Sequence, residues 1–520
     1  MRRTSYIILL WLISICLSCN NTEVPEHGEE TLAAGTDFLS FSLKSETGEI
    51  FTAFFINDSI VHVKIPHFKD KALYTPVFTT NAKHVIEVAT GDEVKSCATK
   101  IDFSDFINPV EFKLISSTGD QSLYKVNVYD LPVLLLKTPN AKPIDSKTER
   151  VEGCQLSLID NEGVLNELGT AGVRGRGNST WEQPKKPYNV KFDSKQSVLG
   201  MKPSKHWLLM SQPFYDRSQL RNATALEMAR LSDYDWTPSG DFCELILNGE
   251  HKGLYFICEK IRVESGKIDL KQKQSEIVDI PPFLIESFIV GESPNTMTWT
   301  DQCFVTDYIN ETGPYWVRRT MGWEIKYPDE ATIEQRESIK SYLNNIESIL
   351  LNDESISCGS YRENVDISSF CDWWLVQEAA ANFEASKSCN VYLYAGADGK
   401  LKIGPPWDFD AWTFGSYGDL YIWFCKDDAV YYSRLFKDPV FIAMVKEKWS
   451  RYKPIWRSEI ISFIDKKYGQ IHHAALRNET MGEWYRNNHY PEVSYEQLIS
   501  GMKDFVISQL EWMDSEILQF

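Results

Sequence analysis

The chain has 520 residues, of which 43% are hydrophobic and 24% charged, proportions typical of a globular protein. Its formal net charge of −19 argues against nucleic acid as a partner, because a phosphate backbone binds basic surfaces. The eleven cysteines are scattered, with Cys-x-x-Cys spacing only at Cys16 and Cys19, so neither a zinc site nor a disulfide scaffold is indicated.

The first nineteen residues have the pattern of a bacterial lipoprotein signal. Two arginines precede a short apolar run over residues 6–17, and the small residue Ser18 stands before Cys19. We therefore predict a signal peptide over residues 1–19 with lipid attached to Cys19; an uncleaved anchor and ordinary secretion are the alternatives. The polar, acidic residues 20–36 are typical of a tether. This predicts a cell-envelope lipoprotein, on the outer membrane or cell surface, that contacts the membrane through its lipid.

Residues 37–131 have the pattern of a small all-β domain. Val61, Val63 and Ile65 alternate with polar residues, and the same alternation recurs over residues 124–128. Turn signals separate these runs, which predicts an immunoglobulin-like β-sandwich. Its sequence offers no cluster of charged or aromatic residues typical of a site, so a spacer or adhesive module is the preferred interpretation.

From residue 140 to the C terminus, helical and strand periodicities are mixed, which predicts an α+β domain over residues 140–520. A helix is predicted over residues 218–231, and a second over 339–350 from apolar residues at helical spacing. Residues 245–258 are predicted to form a hairpin that turns at Asn248-Gly249. A third helix, capped by Asp366 or Ser368, should run towards Asn382.

Two aspartates follow a Gly-Pro-Pro turn near the end of this domain. Asp408 and Asp410 are one residue apart, so both side chains would lie on one face of a strand or reach one cation from a tight loop. Mg²⁺ commonly binds one or two carboxylates together with substrate phosphates. The Asp-x-Asp pair alone is a weak indication of a metal site.

A glycine-rich basic segment, residues 172–191, is the candidate phosphate site. Its glycines allow backbone amides to approach an anion closely. A basic surface hairpin is the alternative interpretation. The side chains of this segment that could bind phosphate are Arg174, Arg176, Asn178, Ser179, Lys186 and Lys191.

Three further polar residues complete the candidate site. Glu259 falls in an apolar strand and needs a cation, either a lysine of the glycine-rich segment or a metal, unless it lies on the solvated face. Glu384 and Asn390 stand between a helix and a strand that leads to Asp408. An acid, an amide and a metal-binding aspartate in this order are typical of phosphoryl-transfer sites.

From about residue 140 onwards the chain resembles the CotH family, atypical protein kinases related to spore coat protein H. The motifs that carry the resemblance are, in order, Arg174-Gly-Arg-Gly-Asn-Ser-Thr-Trp181, Lys185-Lys-Pro-Tyr188, Trp207-Leu-Leu209, Arg221-Asn222, Gly253-Leu-Tyr-Phe256, Glu259-Lys-Ile261, Ile325-Lys-Tyr-Pro328 and Gly404-Pro-Pro-Trp-Asp-Phe-Asp410. The resemblance implies a diverged two-lobed kinase fold that binds ATP with Mg²⁺ or Mn²⁺ and phosphorylates protein Ser or Thr.

The resemblance also implies roles for individual residues. Asp408 and Asp410 would hold metal, with Asn390 or Glu384 completing the site. Basic residues of the glycine-rich segment would contact phosphates, and Glu259 would orient a lysine. Many family members carry aspartate at the position of Glu384. The protein acceptor is left open, and the alternative is an inactive kinase-like surface module that binds a nucleotide, a glycan or another protein.

Overall fold

The computed structural model describes ten stretches of the chain: residues 35–66, 73–211, 215–270, 281–289, 299–309, 320–396, 398–416, 421–427, 429–481 and 493–520. The predicted signal peptide with Cys19, and the tether as far as residue 34, lie outside the described residues. Within these ten stretches, no helix is both long and apolar enough to cross a membrane.

The N-terminal part is rich in strands, as the alternating pattern predicts. Its eight strands form a sheet in the order β5-β7-β8-β3-β2-β1-β4-β6 around a core of its own. The strands are β1 Phe38–Lys44, β2 Ile50–Ile56, β3 Ile60–Lys64, β4 Leu73–Thr80, β5 His84–Glu87, β6 Ile101–Asp102, β7 Val110–Ile115 and β8 Gln121–Tyr129.

The next seven strands close into a barrel in the order β10-β11-β12-β13-β15-β14-β9. They are β9 Val133–Lys137, β10 Val151–Ile159, β11 Leu165–Gly175, β12 Tyr188–Gln196, β13 Ser204–Met210, β14 Gly240–Leu247 and β15 Glu250–Glu259. Strand β9 closes the barrel by pairing antiparallel with β10 and parallel with β14. The barrel therefore begins at Val133, ahead of the boundary predicted near residue 140.

The β14–β15 hairpin confirms the turn predicted at Asn248-Gly249. Asn248 and Gly249 have φ angles of 53° and 86°. Such left-handed pairs form the tight turns that suit the twist of an antiparallel hairpin, and Asn-Gly is the favoured sequence there.

A five-stranded sheet and most of the helices make up the rest of the chain. The sheet has the order β17-β18-β16-β19-β20, with β16 Phe283–Ile289, β17 Cys303–Ile309, β18 Thr320–Tyr327, β19 Tyr392–Ala395 and β20 Leu401–Ile403. The helices are α1 Ser179–Glu182, α2 Arg221–Arg230, α3 Ile333–Leu351, α4 Asp353–Cys358, α5 Ile367–Ala379, α6 Phe383–Ser386, α7 Tyr432–Leu435, α8 Pro439–Glu479 and α9 Tyr495–Ile517.

The predicted helices are confirmed, and their caps explain where they begin. Thr332 and Gln335 form a reciprocal capping box at the start of α3. Asp366, rather than Ser368, caps α5, since its side chain accepts hydrogen bonds from the amides of Ser368 and Ser369. Helix α2 is shorter than predicted because Asp216 and Ser218 form a hydrogen-bonded turn ahead of it.

The long helix α8 joins the parts of the chain. It packs against α2, α5, α9 and β15, and near its end Arg477 is buried at the border with the N-terminal sheet. The Arg477 guanidinium donates to Glu244 of the barrel at 2.7 and 2.9 Å. It also donates to the carbonyls of Phe106 and Val128, each at 2.8 Å. The N-terminal sheet is therefore docked on the barrel through buried polar contacts.

Candidate active site

Asp408 and Asp410 lie in the loop that follows β20, so the loop geometry applies rather than the strand geometry. Two contacts fix this loop to a neighbouring element. The Asn222 side chain accepts from the amide of Phe409 at 2.9 Å. The Arg221 guanidinium donates to the carbonyl of Asp410 at 3.0 Å. Both partners come from the first turn of α2, which gives the Arg-Asn pair at the start of that helix a structural role.

Asn390 lies against Asp408, although eighteen residues separate them. The Asn390 amide donates to a carboxylate oxygen of Asp408 at 2.7 Å. Asn390 and Asp408 both adopt left-handed backbone conformations, with φ of 57° and 67°. Non-glycine residues rarely hold this conformation, and such strain concentrates at functional sites where the surrounding structure maintains it.

The two aspartates sit in an excess of negative charge. Burial raises the pKa of Asp408 above its ordinary value, and Glu286 adds to the effect while Arg176 opposes it. Burial raises the pKa of Asp410 still further, and three carboxylates add to it: Asp408, Glu384 and Asp216. Clustered carboxylates in a buried loop favour a cation or a shared proton.

The donor set of this loop fits a hard divalent cation. Asp408, Asp410 and Asn390 offer carboxylate and amide oxygens, the ligands that Mg²⁺ and Mn²⁺ prefer. Within the described stretches, no group of three or more His, Cys, Asp or Glu side chains is arranged to hold a metal. Two carboxylates and one amide match the partial set of protein ligands in Mg²⁺ sites that substrate phosphates complete.

Glu384 is a further carboxylate near Asp410. It lies in the one-turn helix α6, which Asn382 caps by accepting from the amides of Glu384 and Ala385. The Asn382 side chain also donates to the carbonyl of Asp408 at 3.5 Å. Because the cap touches the aspartate loop, the Glu384 carboxylate is close enough to raise the pKa of Asp410.

The glycine-rich segment extends over the aspartates through Arg176 and Ser179. Arg176 is the cation that lowers the pKa of both aspartates against the effect of burial. Ser179 hydrogen-bonds Tyr215, a half-buried phenol that faces the same carboxylates. Gly175 allows the close packing here, because a Cβ atom at this position would collide with the Trp181 ring.

The remaining predicted phosphate ligands are not placed at the aspartates. The Lys186 ammonium donates to the carbonyl of Trp181 at 2.6 Å and lies over its ring. Asn178 is exposed, and its side chain makes no capping hydrogen bond to α1. Lys191 is exposed on β12, and Arg174 donates to the carbonyl of Thr148 at 3.2 Å.

Glu259 finds its cation elsewhere than predicted. It is buried, which excludes the solvated-face interpretation, and it pairs with Lys267 at 3.1 Å. Lys267 stands eight residues further along the chain, beyond the glycine-rich segment, and it also donates to Ser204. A lysine on the loop that follows β15 reaches the buried carboxylate, so neither a lysine of residues 172–191 nor a metal is needed.

A basic cluster that the sequence interpretation missed lies beside the aspartates. Lys326 pairs with Glu286 at 2.7 Å, and Tyr392 donates to Glu286 at 2.7 Å. Burial, together with the nearby cations Arg262, Lys326 and Arg174, lowers the pKa of Lys260 to about 8. Lys260 and Lys326 stand inside the motifs Glu259-Lys-Ile261 and Ile325-Lys-Tyr-Pro328, so the signal was present but unused.

Burial also lowers the pKa of His206 to about 3, and cations on the barrel surface contribute, among them Lys260 and Lys191. Glu286 links this basic surface to the aspartates, since its charge raises the pKa of both Lys260 and Asp408. In a chain of net charge −19, cations that together lower the pKa of Lys260 and of His206 form a local basic surface suited to a polyanion.

In the candidate site, carboxylates and an amide adjoin a basic surface. The family model described as "CotH kinase protein" matches residues 173–513, well over half of the chain. The chain belongs to the CotH family. No curated protein shows significant similarity to it.

Proposed function

We propose that this protein is a CotH-type protein kinase that transfers the γ-phosphoryl group of ATP to a Ser or Thr hydroxyl of another protein. In this proposal the barrel is one lobe, and the helices with the five-stranded sheet are the other. The observation that carries it is the contact of Asn390 with Asp408 at 2.7 Å, beside Asp410, Glu384 and Arg176. Family membership supports the use of nucleotide and divalent metal in general.

Asp408, Asp410 and Asn390 are proposed to hold Mg²⁺ or Mn²⁺ between them and the nucleotide. Bound there, the metal would neutralise charge on the phosphates and on the two aspartates. Arg176, whose charge lowers the pKa of both aspartates, would contact the transferring phosphoryl group. Electrostatic stabilisation of this kind supplies most of the catalysis in phosphoryl transfer.

Glu384 is proposed to orient the acceptor hydroxyl and to accept its proton. Its carboxylate lies on α6 and is close enough to Asp410 to raise the pKa of that residue, which would place it near the acceptor hydroxyl. In balanced form, the acceptor oxygen forms a bond to the γ-phosphorus, the bond from this phosphorus to the bridging oxygen breaks, and ADP leaves.

Lys260, Lys326 and Arg174 are proposed to bind the other phosphates of the nucleotide. Lys326 and Arg174 both act on the charge of Lys260, and Lys326 pairs with Glu286. Lys191, a candidate from the sequence, is exposed and acts on His206 together with Lys260, so it is proposed to contribute to the same basic surface.

The experiment is incubation of the purified protein with γ-labelled ATP and Mn²⁺ or Mg²⁺, with and without a mixture of candidate acceptor proteins. We expect label in the protein or in an acceptor, and its loss in Asp408→Ala. Asp465→Ala is the matched control, because Asp465 is an exposed aspartate paired with Lys503 far from the loop. Nucleotide binding without transfer in the wild type would instead favour an inactive kinase-like module.

A lipid anchor at Cys19 is proposed to place this domain at the cell envelope. The supporting observation is the signal pattern of residues 1–19. The acceptor would then be a protein of the same compartment, and surface glycans or proteins are further candidate partners.

A further inference from the structure

Within the part of the chain that the structure describes, a lysine near the aspartate loop has no acidic partner within 4 Å. Lys387 follows α6, and its ammonium lies 4.9 Å from the centre of the Phe383 ring and 4.5 Å from that of Trp412. The two rings meet edge to face, with centroids 5.9 Å apart. The ammonium is thus held between two aromatic rings, an arrangement that stabilises a cation without neutralising it.

Lys387 contacts both α6, which carries Glu384, and the loop that carries Asp408 and Asp410. The amide of Phe383 donates to the carbonyl of Trp412 at 3.3 Å, which joins α6 to the aspartate loop. Lys387 is three residues after Glu384, and residues three apart are neighbours on a helical turn. Trp412 is two residues after Asp410. The ammonium therefore stands on the side of the cleft where Glu384 would receive the acceptor hydroxyl.

Among the residues that the structure describes, Lys387 makes no ion pair. Glu384 is near it in sequence but does not take it as a salt-bridge partner at 4 Å or less. Trp412 leaves 36% of its surface exposed and has a left-handed backbone, with φ of 57°. A tryptophan held in a disfavoured conformation to cover an unpaired cation is typical of a binding surface rather than of core packing.

We propose that Lys387 and Trp412 select the protein acceptor by binding an acidic residue next to the target Ser or Thr. The carboxylate of that residue would pair with the ammonium, and its methylene groups would pack on the exposed indole. The proposal rests on the kinase function proposed above and narrows its substrate class. Without such a contact, the carboxylates of the cleft would favour basic acceptors over acidic ones.

The test compares three peptides that differ only beside one serine, with Asp, Ala or Lys at the neighbouring positions. For the wild type we expect kcat/KM for the Asp peptide to exceed that for the Ala peptide about fivefold, the size of one partly exposed charge pair. In Lys387→Met this ratio should fall towards one, and in Lys387→Glu the Lys peptide should become the best substrate. Lys426→Met is the matched control, because Lys426 also lies over two aromatic rings, those of Phe436 and Phe520.

Two results would overturn the proposal. One is a wild type with no preference among the peptides. The other is an equal loss of rate on all three peptides in Lys387→Met with the Asp-to-Ala ratio kept, since this would assign the ammonium to the transferred phosphoryl group.

Failure of the kinase function itself is recognised separately. If the wild type phosphorylates no peptide, the anisotropy of fluorescently labelled peptides still measures binding without turnover. Tighter binding of the Asp peptide that Lys387→Met abolishes would support the acceptor-binding role of Lys387. Equal binding of the three peptides would contradict it. Thermal unfolding of each variant controls for loss of fold.

Discussion

Lys260 provides a pH-dependent test of nucleotide binding. Burial and the surrounding cations lower its pKa from 10.5 to about 8, so about half of these side chains are neutral at pH 8. Triphosphate bound at this ammonium favours the charged form and raises its pKa. Because the complex then has the higher pKa, binding takes up protons and is stronger at low pH than at high pH.

The expected magnitudes follow from that pKa. Uptake should be about 0.5 proton per ATP at pH 8, and the affinity should weaken about tenfold from pH 7 to pH 9. The full shift from 10.5 to 8 corresponds to about 3 kcal/mol, which is the upper limit of what a polyanion could recover by restoring the charge. Lys260→Met should therefore bind ATP at least about tenfold more weakly at pH 7.

Isothermal titration calorimetry with ATP and Mg²⁺, in buffers of different ionisation enthalpy, measures both the proton uptake and the affinity for ATP. Lys260→Arg retains the charge and should bind ATP without the uptake at pH 8, whereas Lys191→Arg should behave as the wild type. A wild type with no uptake at pH 8, or the same uptake in Lys260→Arg, would refute the assignment of Lys260 to the nucleotide.

Three further predictions concern stability and location. Asp372→Ala leaves the buried Lys448 without the carboxylate that it contacts at 2.8 Å. The free energy of unfolding, measured in urea, should therefore fall by about 3 kcal/mol. A decrease below about 1 kcal/mol would contradict the pairing. Arg477→Met should make the N-terminal sheet separately susceptible to limited proteolysis, whereas unchanged cleavage would show that its four hydrogen bonds do not hold the sheet in place. Cys19→Ser should abolish the incorporation of labelled palmitate and release the protein from membranes; labelling that persists would exclude lipid attachment at Cys19.

Local signals in the sequence were sufficient for much of the fold. The Asn248-Gly249 hairpin, the Asp366 cap and the strand alternation of the N-terminal part depend on residues close in sequence, and the structure contains all three. Closure of the barrel depends instead on a parallel pairing of β9 with β14, more than a hundred residues apart. No local pattern specifies such a pairing, so the predicted boundary near residue 140 cut through the barrel.

Burial of polar residues was the other feature that local patterns missed. His62 and Lys64 alternate with valines, a pattern typical of a solvated face, yet both are buried where the N-terminal sheet meets the barrel. Tyr129 bonds His62 at 2.9 Å, and Lys64 donates to the carbonyl of Asp130 at 2.8 Å. An alternating strand identifies two faces, but it does not tell whether water or another domain covers the polar one.

In the candidate site, too, some contacts could be predicted from the sequence and others could not. The order of Glu384, Asn390 and Asp408 along the chain suggested that they meet, and the structure brings Asn390 to Asp408. The lysine partner of Glu259 could not be chosen, because residues 172–191 offered several basic side chains and the actual partner, Lys267, lay outside that segment. The low pKa of Lys260 depends on burial and on cations from distant parts of the chain, among them Lys326 and Arg174. The residues next to Lys260 in the sequence do not indicate it.

The central claim is that Asp408, Asp410 and Asn390 hold a divalent metal against the phosphates of a nucleotide. A crystal structure with Mn²⁺ and a non-hydrolysable ATP analogue measures this most directly, since Mn²⁺ scatters anomalously. We predict an anomalous peak that the Asp408 carboxylate and the phosphates share, with Arg176 and Lys260 on the phosphate chain. Nucleotide bound away from this loop, or Mn²⁺ coordinated without Asp408, would contradict the claim.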